Sequence, residues 1–119
     1  MPTIMLAEDD LTMISLLKTL LGMEGYRVIA LDTDDDILEA VRRDRPDLLL
    51  MDVHLPHISG LEVMDLLRAD EAVKDTSVVM TSGLNLETEC MLHGANAFLL
   101  KPYMPDDLLG MLKRNLKTS

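Results

Sequence analysis

Five short apolar runs alternate along this chain with longer segments in which apolar residues recur at helical spacing. Runs this short match the length of buried strands, and the segments between them are long enough to carry the chain back to a parallel neighbour. Strands that are apolar on both faces need helices on both sides of their sheet. The pattern therefore predicts a doubly wound α/β domain with a five-stranded parallel sheet and five helices.

The predicted elements fill the chain. Strands are predicted near residues 3–7, 27–31, 47–52, 77–82 and 97–101. The stripes of the first and third helices are Met13, Leu16, Leu17, Leu20 and Leu21, and Leu61, Val63, Met64, Leu66 and Leu67. A short fourth helix is predicted near 85–93. Because no linker, repeat or low-complexity tract divides them, residues 1–119 are predicted to form one domain.

The amino-acid composition restricts the classes of function that this chain can have. The 119 residues include 21 acidic and 11 basic side chains, a formal charge of −10, with only three aromatic residues, which argues against direct nucleic-acid binding. The one cysteine, Cys90, cannot form an internal disulfide, which favours a reducing compartment. No apolar stretch approaches the length of a membrane span, and no basic region precedes the first apolar run. We expect a cytoplasmic protein without a membrane partner.

Polar residues stand at the carboxyl ends of four of the predicted strands: Asp9 and Asp10, Asp52, Ser82 and Lys101. In an open α/β sheet these ends meet at one crevice. Clustered carboxylates repel one another and need a cation, and hard oxygen ligands suit Mg²⁺. A carboxylate can also attack phosphorus, while a hydroxyl and a lysine stabilise the phosphoryl charge. The set predicts a phosphoaspartate site.

Taken singly, each of these residues also has a structural interpretation. Asp9 or Asp10 can cap the helix that follows the first strand. Ser82 can be a turn residue beside Gly83, and Lys101 a solvated strand end. Only the combination favours phosphoryl chemistry.

The chain resembles the receiver domains of two-component response regulators over essentially its whole length. The resemblance rests on motifs in order: Glu8-Asp9-Asp10, the segment DVHLPHISG with Asp52, Pro56 and Gly60, then Ser82-Gly83, Gly94-Ala95 and Lys101-Pro102. It implies a flavodoxin-like fold with strand order 2-1-3-4-5. It also implies a signalling domain that catalyses its own phosphotransfer and dephosphorylation but has no turnover substrate.

The resemblance implies a role for each site residue. Asp52 would accept a phosphoryl group from a phosphohistidine of a histidine kinase or a His-containing phosphotransfer protein. Asp10 and Asp52 would bind Mg²⁺ directly, Asp9 would act largely through water, and the backbone carbonyl of His54 would supply another oxygen.

The remaining implied roles concern the switch. Lys101 would pair with the phosphoryl group, and the Lys101-Pro102 bond would be cis. Ser82 would hydrogen-bond the phosphoryl group, and Phe98 would be an aromatic rotamer switch, although plain core packing also explains Phe98. The face formed by the fourth helix, fifth strand and fifth helix would contact a partner, an output domain or a second copy in a phosphorylation-dependent homodimer.

Two other functions fit parts of the pattern. The first is a phosphatase or phosphotransferase with an aspartyl-phosphate intermediate, but that class favours an acidic residue where this chain has His54. The second is an interaction module that keeps the fold without being phosphorylated. The complete set of site residues argues against it.

Overall fold

The computed structural model describes residues 1–116, in which strands and helices alternate strictly. In chain order the elements are β1 Thr3–Ala7, α1 Leu11–Met23, β2 Arg27–Ala30, α2 Ile37–Asp44, β3 Leu48–Asp52, α3 Gly60–Ala69, β4 Val78–Ser82, α4 Glu87–Leu92, β5 Ala97–Leu100 and α5 Pro105–Asn115. Every predicted strand is present to within one residue at each end. Residues 117–119 of the predicted domain lie outside the described residues.

The strands form one parallel sheet in the order β2-β1-β3-β4-β5. This confirms the predicted doubly wound, flavodoxin-like α/β fold. Connections from β1 lead to one edge of the sheet and those from β3 to the other, so the strand order reverses between β1 and β3. Ala7 pairs with Met51 across this boundary. The residues that follow this pair along the chain, Glu8 and Asp52, therefore lie side by side at the crevice.

Each face of the sheet carries its own apolar cluster. Alternate strand residues point to opposite faces, so Met5 and Ala7 belong to the cluster under α2, α3 and α4, whereas Ile4 and Leu6 belong to the cluster under α1 and α5. This arrangement buries all five residues of β3 and of β4. It explains why the strands are apolar along both faces.

Two residues of the predicted stripes lie outside the core. Leu16 is 61% exposed and Leu66 is 48% exposed, so assigning them to the sheet-facing stripes was wrong. One residue is about 100° of helical rotation, and Leu17 and Leu67 already occupy the buried positions beside them. Among residues 1–116, no helix has the length and apolar character needed to cross a membrane.

The connection from β3 to α3 is held tightly against the end of β3. Ser59 caps α3 by accepting a hydrogen bond from the Leu61 backbone at 3.2 Å, and the Gly60 N–H donates to the Val53 carbonyl at 2.8 Å. A Cβ at Gly60 would lie 2.7 Å from the Asp52 carbonyl oxygen and 2.8 Å from Met80 Cε. Glycine is needed here because the backbone of α3 approaches the strand end so closely.

Candidate functional site

Asp52 ends β3 as a buried carboxylate with a partner for each oxygen. The side chain lies in the crevice at 7% exposure. Its Oδ1 accepts a hydrogen bond from the His54 backbone at 2.8 Å, and its Oδ2 accepts one from Lys101 Nζ at 2.6 Å. Such charge-assisted bonds hold the carboxylate in one orientation.

Lys101 lies between two carboxylates. Besides Asp52, its Nζ donates to Glu8 Oε2 at 3.0 Å and to Glu8 Oε1 at 3.3 Å. Burial lowers the pKa of Lys101, but the hydrogen bonds to Asp52 and Glu8 outweigh it, so the net pKa is raised. Burial raises the pKa of Glu8, and the hydrogen bond from Lys101 opposes that shift. The lysine is therefore an ammonium that compensates both acids.

Glu8, Asp9 and Asp52 form an acidic cluster around the crevice. Each offers a carboxylate oxygen, and these atoms all lie within 4.8 Å of one another. Glu8 and Asp52 are buried, whereas Asp9 is exposed, so the cluster opens to solvent on one side. Three converging hard oxygen donors are a suitable set for Mg²⁺.

Asp10 does not join this cluster. Its carboxylate caps α1, where Oδ1 accepts hydrogen bonds from the Thr12 and Met13 backbones at 3.0 and 3.1 Å. The resemblance implied that Asp10 and Asp52 bind Mg²⁺ directly, but the Asp10 carboxylate lies outside the cluster that contains Asp52. The physical reason is the start of α1 at Leu11, which makes Asp10 the residue that satisfies the free N–H groups of the first turn.

Glu8 occupies the position beside Asp52 that was predicted for Asp10. A signal for it exists in the sequence, since aligning the last apolar residues of the first and third strands, Ala7 and Met51, sets Glu8 opposite Asp52. The structure has this register. Glu8 belongs to the acidic motif after the first strand, but no role was predicted for it.

Ser82 and Lys101 are neighbours at the carboxyl ends of β4 and β5. Ser82 is fully buried at the end of β4, and its carbonyl accepts a hydrogen bond from the Lys101 backbone at 2.8 Å. The Ser82 hydroxyl oxygen accepts one from the Leu84 backbone at 3.0 Å and lies 3.0 Å from His54 Nε2. The side chains of His54 and Ser82, 28 residues apart in sequence, are thus in direct contact beside Asp52.

Phe98 is 8% exposed and belongs to the same apolar cluster as Met80 and Cys90. In this structure it is part of the core beneath α4. The Lys101-Pro102 peptide bond is cis, as the resemblance implied.

The known proteins that this chain is similar to are response regulators or contain receiver domains. The model of the family described as "Response regulator receiver domain" matches residues 4–113. The DNA-binding response regulator MtrA of Mycolicibacterium paratuberculosis is 31% identical over 117 residues, which cover 96% of this chain and 51% of MtrA. The chain thus has about half the length of the first curated relatives that it matches. The polar-differentiation response regulator DivK of Brucella anthropi is 31% identical over 103 residues, 84% of each chain.

One similar solved structure is the receiver domain of the sensor histidine kinase PA1611 from Pseudomonas aeruginosa. It is 28% identical with a TM-score of 0.84, and the alignment covers 96% of both chains. That structure has a magnesium ion coordinated in its active site cleft.

Proposed function

Because this chain belongs to the family of response regulator receiver domains, we propose that Asp52 is its phosphoacceptor. The general role of the family is phosphorylation-dependent signalling in two-component systems, and its members are signalling domains rather than metabolic enzymes. The donor would be a phosphohistidine on a histidine kinase or a phosphotransfer protein. The observation that supports this best is the bond between Lys101 Nζ and Asp52 Oδ2 inside an otherwise acidic crevice.

Phosphoryl transfer to Asp52 exchanges one bond to phosphorus for another. An Asp52 oxygen bonds to phosphorus while the phosphorus–nitrogen bond of the donor breaks. The electron pair of that bond returns to the imidazole ring, which takes up a proton, and Asp52 becomes an acyl phosphate. Such a reaction depends mainly on positioning and charge neutralisation. The fixed orientation of Asp52 and the ammonium of Lys101 supply both.

The acidic cluster fits a Mg²⁺ ion. We assign its binding to Glu8, Asp9 and Asp52, with the His54 backbone carbonyl as a further oxygen. When bound, the ion would neutralise carboxylate and phosphoryl charge together. Glu8 would exchange its hydrogen bonds with Lys101 for the metal environment, which frees the lysine for the phosphoryl group.

Phosphorylation of Asp52 would change the α4-β5-α5 face through two switch residues, Ser82 and Phe98. Ser82 would move to hydrogen-bond the phosphoryl group, and Phe98 would respond by changing rotamer. Both residues lie on strands next to α4 or its loop, and α4 and β5 expose several apolar side chains: Met91 at 45%, Leu92 at 81% and Leu100 at 46%. We propose that the α4-β5-α5 face contacts a partner, an output domain or a second copy of this chain.

The chemistry is tested by intact mass after incubation with phosphoramidate, with and without Mg²⁺. We expect wild type to gain one phosphoryl group only with Mg²⁺, and Asp52→Ala to gain none. Asp106→Asn, which changes an exposed carboxylate in the first turn of α5, is the matched control and should be labelled like wild type. Folded wild type that gains no mass with Mg²⁺ would instead favour the interaction module.

A further inference from the structure

His54 contacts both the proposed phosphoacceptor and the proposed switch residue. Its backbone N–H donates to Asp52 Oδ1 at 2.8 Å, while its ring Nε2 lies 3.0 Å from Ser82 Oγ. The ring is on the exposed side of the crevice, whereas Ser82 is completely buried. A single residue thus connects the end of β3 with the end of β4.

The contacts of Ser82 fix the position of its hydroxyl. A hydroxyl has one donor and two acceptor sites, and Ser82 Oγ uses one site for the Leu84 N–H and one for His54 Nε2. Both contacts act on the oxygen where it lies in this structure, whichever of the two side chains supplies the proton shared by His54 and Ser82.

We propose that His54 is a positioning residue that holds Ser82 in its resting position, through a hydrogen bond that breaks when the Ser82 hydroxyl moves toward a phosphoryl group on Asp52, and so sets how readily the switch closes. The inference rests on the proposed function of Asp52 and Ser82. A contact made only in the resting conformation lowers the apparent affinity of any ligand that selects the other conformation. The net free energy of one hydrogen bond corresponds to about a twofold to tenfold change in affinity.

Two substitutions separate the hydrogen bond from the rest of the side chain. The amide of glutamine reaches about as far from the backbone as Nε2, whereas the amide of asparagine is one carbon shorter and falls short of Ser82. Both variants keep the backbone N–H that binds Asp52. His54→Asn breaks the contact, and His54→Gln is its matched control.

The probe is beryllium trifluoride, a phosphoryl analogue that binds without covalent transfer, titrated with Mg²⁺ into the full chain. The Leu84 amide reports the result by NMR, because its N–H bonds to Ser82 Oγ. We expect His54→Asn to bind about twofold to tenfold more tightly than wild type, and His54→Gln to stay within about twofold. Without ligand, the Leu84 amide of His54→Asn should already be shifted toward its bound position.

A double-mutant cycle with Ser82→Ala isolates the proposed contact. Without the hydroxyl, His54→Asn should no longer change the affinity. Equal affinity of wild type and His54→Asn would overturn the inference, as would a gain that persists in Ser82→Ala. If wild type neither binds the analogue nor takes up phosphate from phosphoramidate, the proposed function fails and the inference with it, which is a distinct result.

Discussion

Lys101 and Arg68 are partly buried cations at opposite ends of the sheet, and their partners differ. Lys101 follows β5 at the carboxyl end and bonds to the carboxylates of Asp52 and Glu8. Arg68 reaches the amino ends of β4 and β5, where it donates to neutral oxygens. These are the Gly94 carbonyl at 3.0 Å, the Lys74 and Thr76 carbonyls at 2.8 Å each, and Asn96 Oδ1 at 3.0 Å.

The difference in partners gives the two cations different roles. Arg68 is structural, whereas the hydrogen bonds of Lys101 can be exchanged for bonds to a ligand. Burial lowers the pKa of Arg68, and the negative charge of Asp75 opposes that shift only in part. Its carbonyl partners have no charge to offer a ligand. The contacts of Arg68 instead tie the α3–β4 loop and the α4–β5 loop to the end of α3. The carboxylate partners of Lys101 can instead bind a metal or receive a phosphoryl group. The chemistry of the partners, more than the cation, decides which end of the sheet can act.

The largest effect on stability is expected for Arg68→Met. The substitution leaves several oxygens at the amino end without their donor, and we expect the free energy of unfolding to fall by about 3 kcal/mol. Chemical denaturation measures the change. Arg43→Met removes an arginine whose side chain is 66% exposed and should cost less than about 0.5 kcal/mol. A similar loss from both variants would contradict the structural role of Arg68.

Folded Arg68→Met should still take up a phosphoryl group at Asp52. The two cations lie at opposite ends of the strands, and Arg68 has no bond to the acidic cluster among the described contacts. Intact mass after phosphoramidate treatment below the unfolding transition tests this point. Loss of labelling would mean that the two ends are coupled.

Lys101→Met is expected to have a smaller effect on stability and opposite effects on two functions. Removing the ammonium leaves Glu8 and Asp52 uncompensated, so Mg²⁺ should bind about threefold to tenfold more tightly. Phosphoryl uptake should nevertheless slow, because the group that stabilises the phosphoryl charge is gone. Calorimetric titration with Mg²⁺ and a time course of intact mass measure the two effects. Weaker Mg²⁺ binding would show that Lys101 supports the metal site instead of competing with the ion.

The smallest effect on stability is expected on the surface of α4. Leu92 is 81% exposed, so Leu92→Asp should change the free energy of unfolding by less than about 0.5 kcal/mol. It should weaken any homodimer that forms in the presence of Mg²⁺ and beryllium trifluoride, as measured by sedimentation. Leu16→Asp changes a leucine of similar size on α1 that is 61% exposed and is the matched control. Equal dimerisation of the Leu92 variant and wild type would exclude this face.

The sequence predicted the fold well because the relevant signals are local. Apolar runs and helical stripes determine which segments can be strands or helices, and parallel strands bring their carboxyl ends to one edge. Asp52, Ser82 and Lys101 could therefore be assigned to one crevice from their positions at the carboxyl ends of strands. The strand order 2-1-3-4-5 came from the resemblance, since periodicity does not specify which strands are neighbours.

Only the tertiary structure decided which side chains meet. Glu8 instead of Asp10 lies beside Asp52, because the register of β1 against β3 sets Glu8 opposite Asp52 and the start of α1 makes Asp10 the helix cap. The contact between His54 and Ser82 and the bonds of Arg68 join segments that are distant in the chain. Residue types and spacing determined what chemistry this chain carries. The geometry of the site depended on packing between helices and strands, which no local sequence pattern encodes.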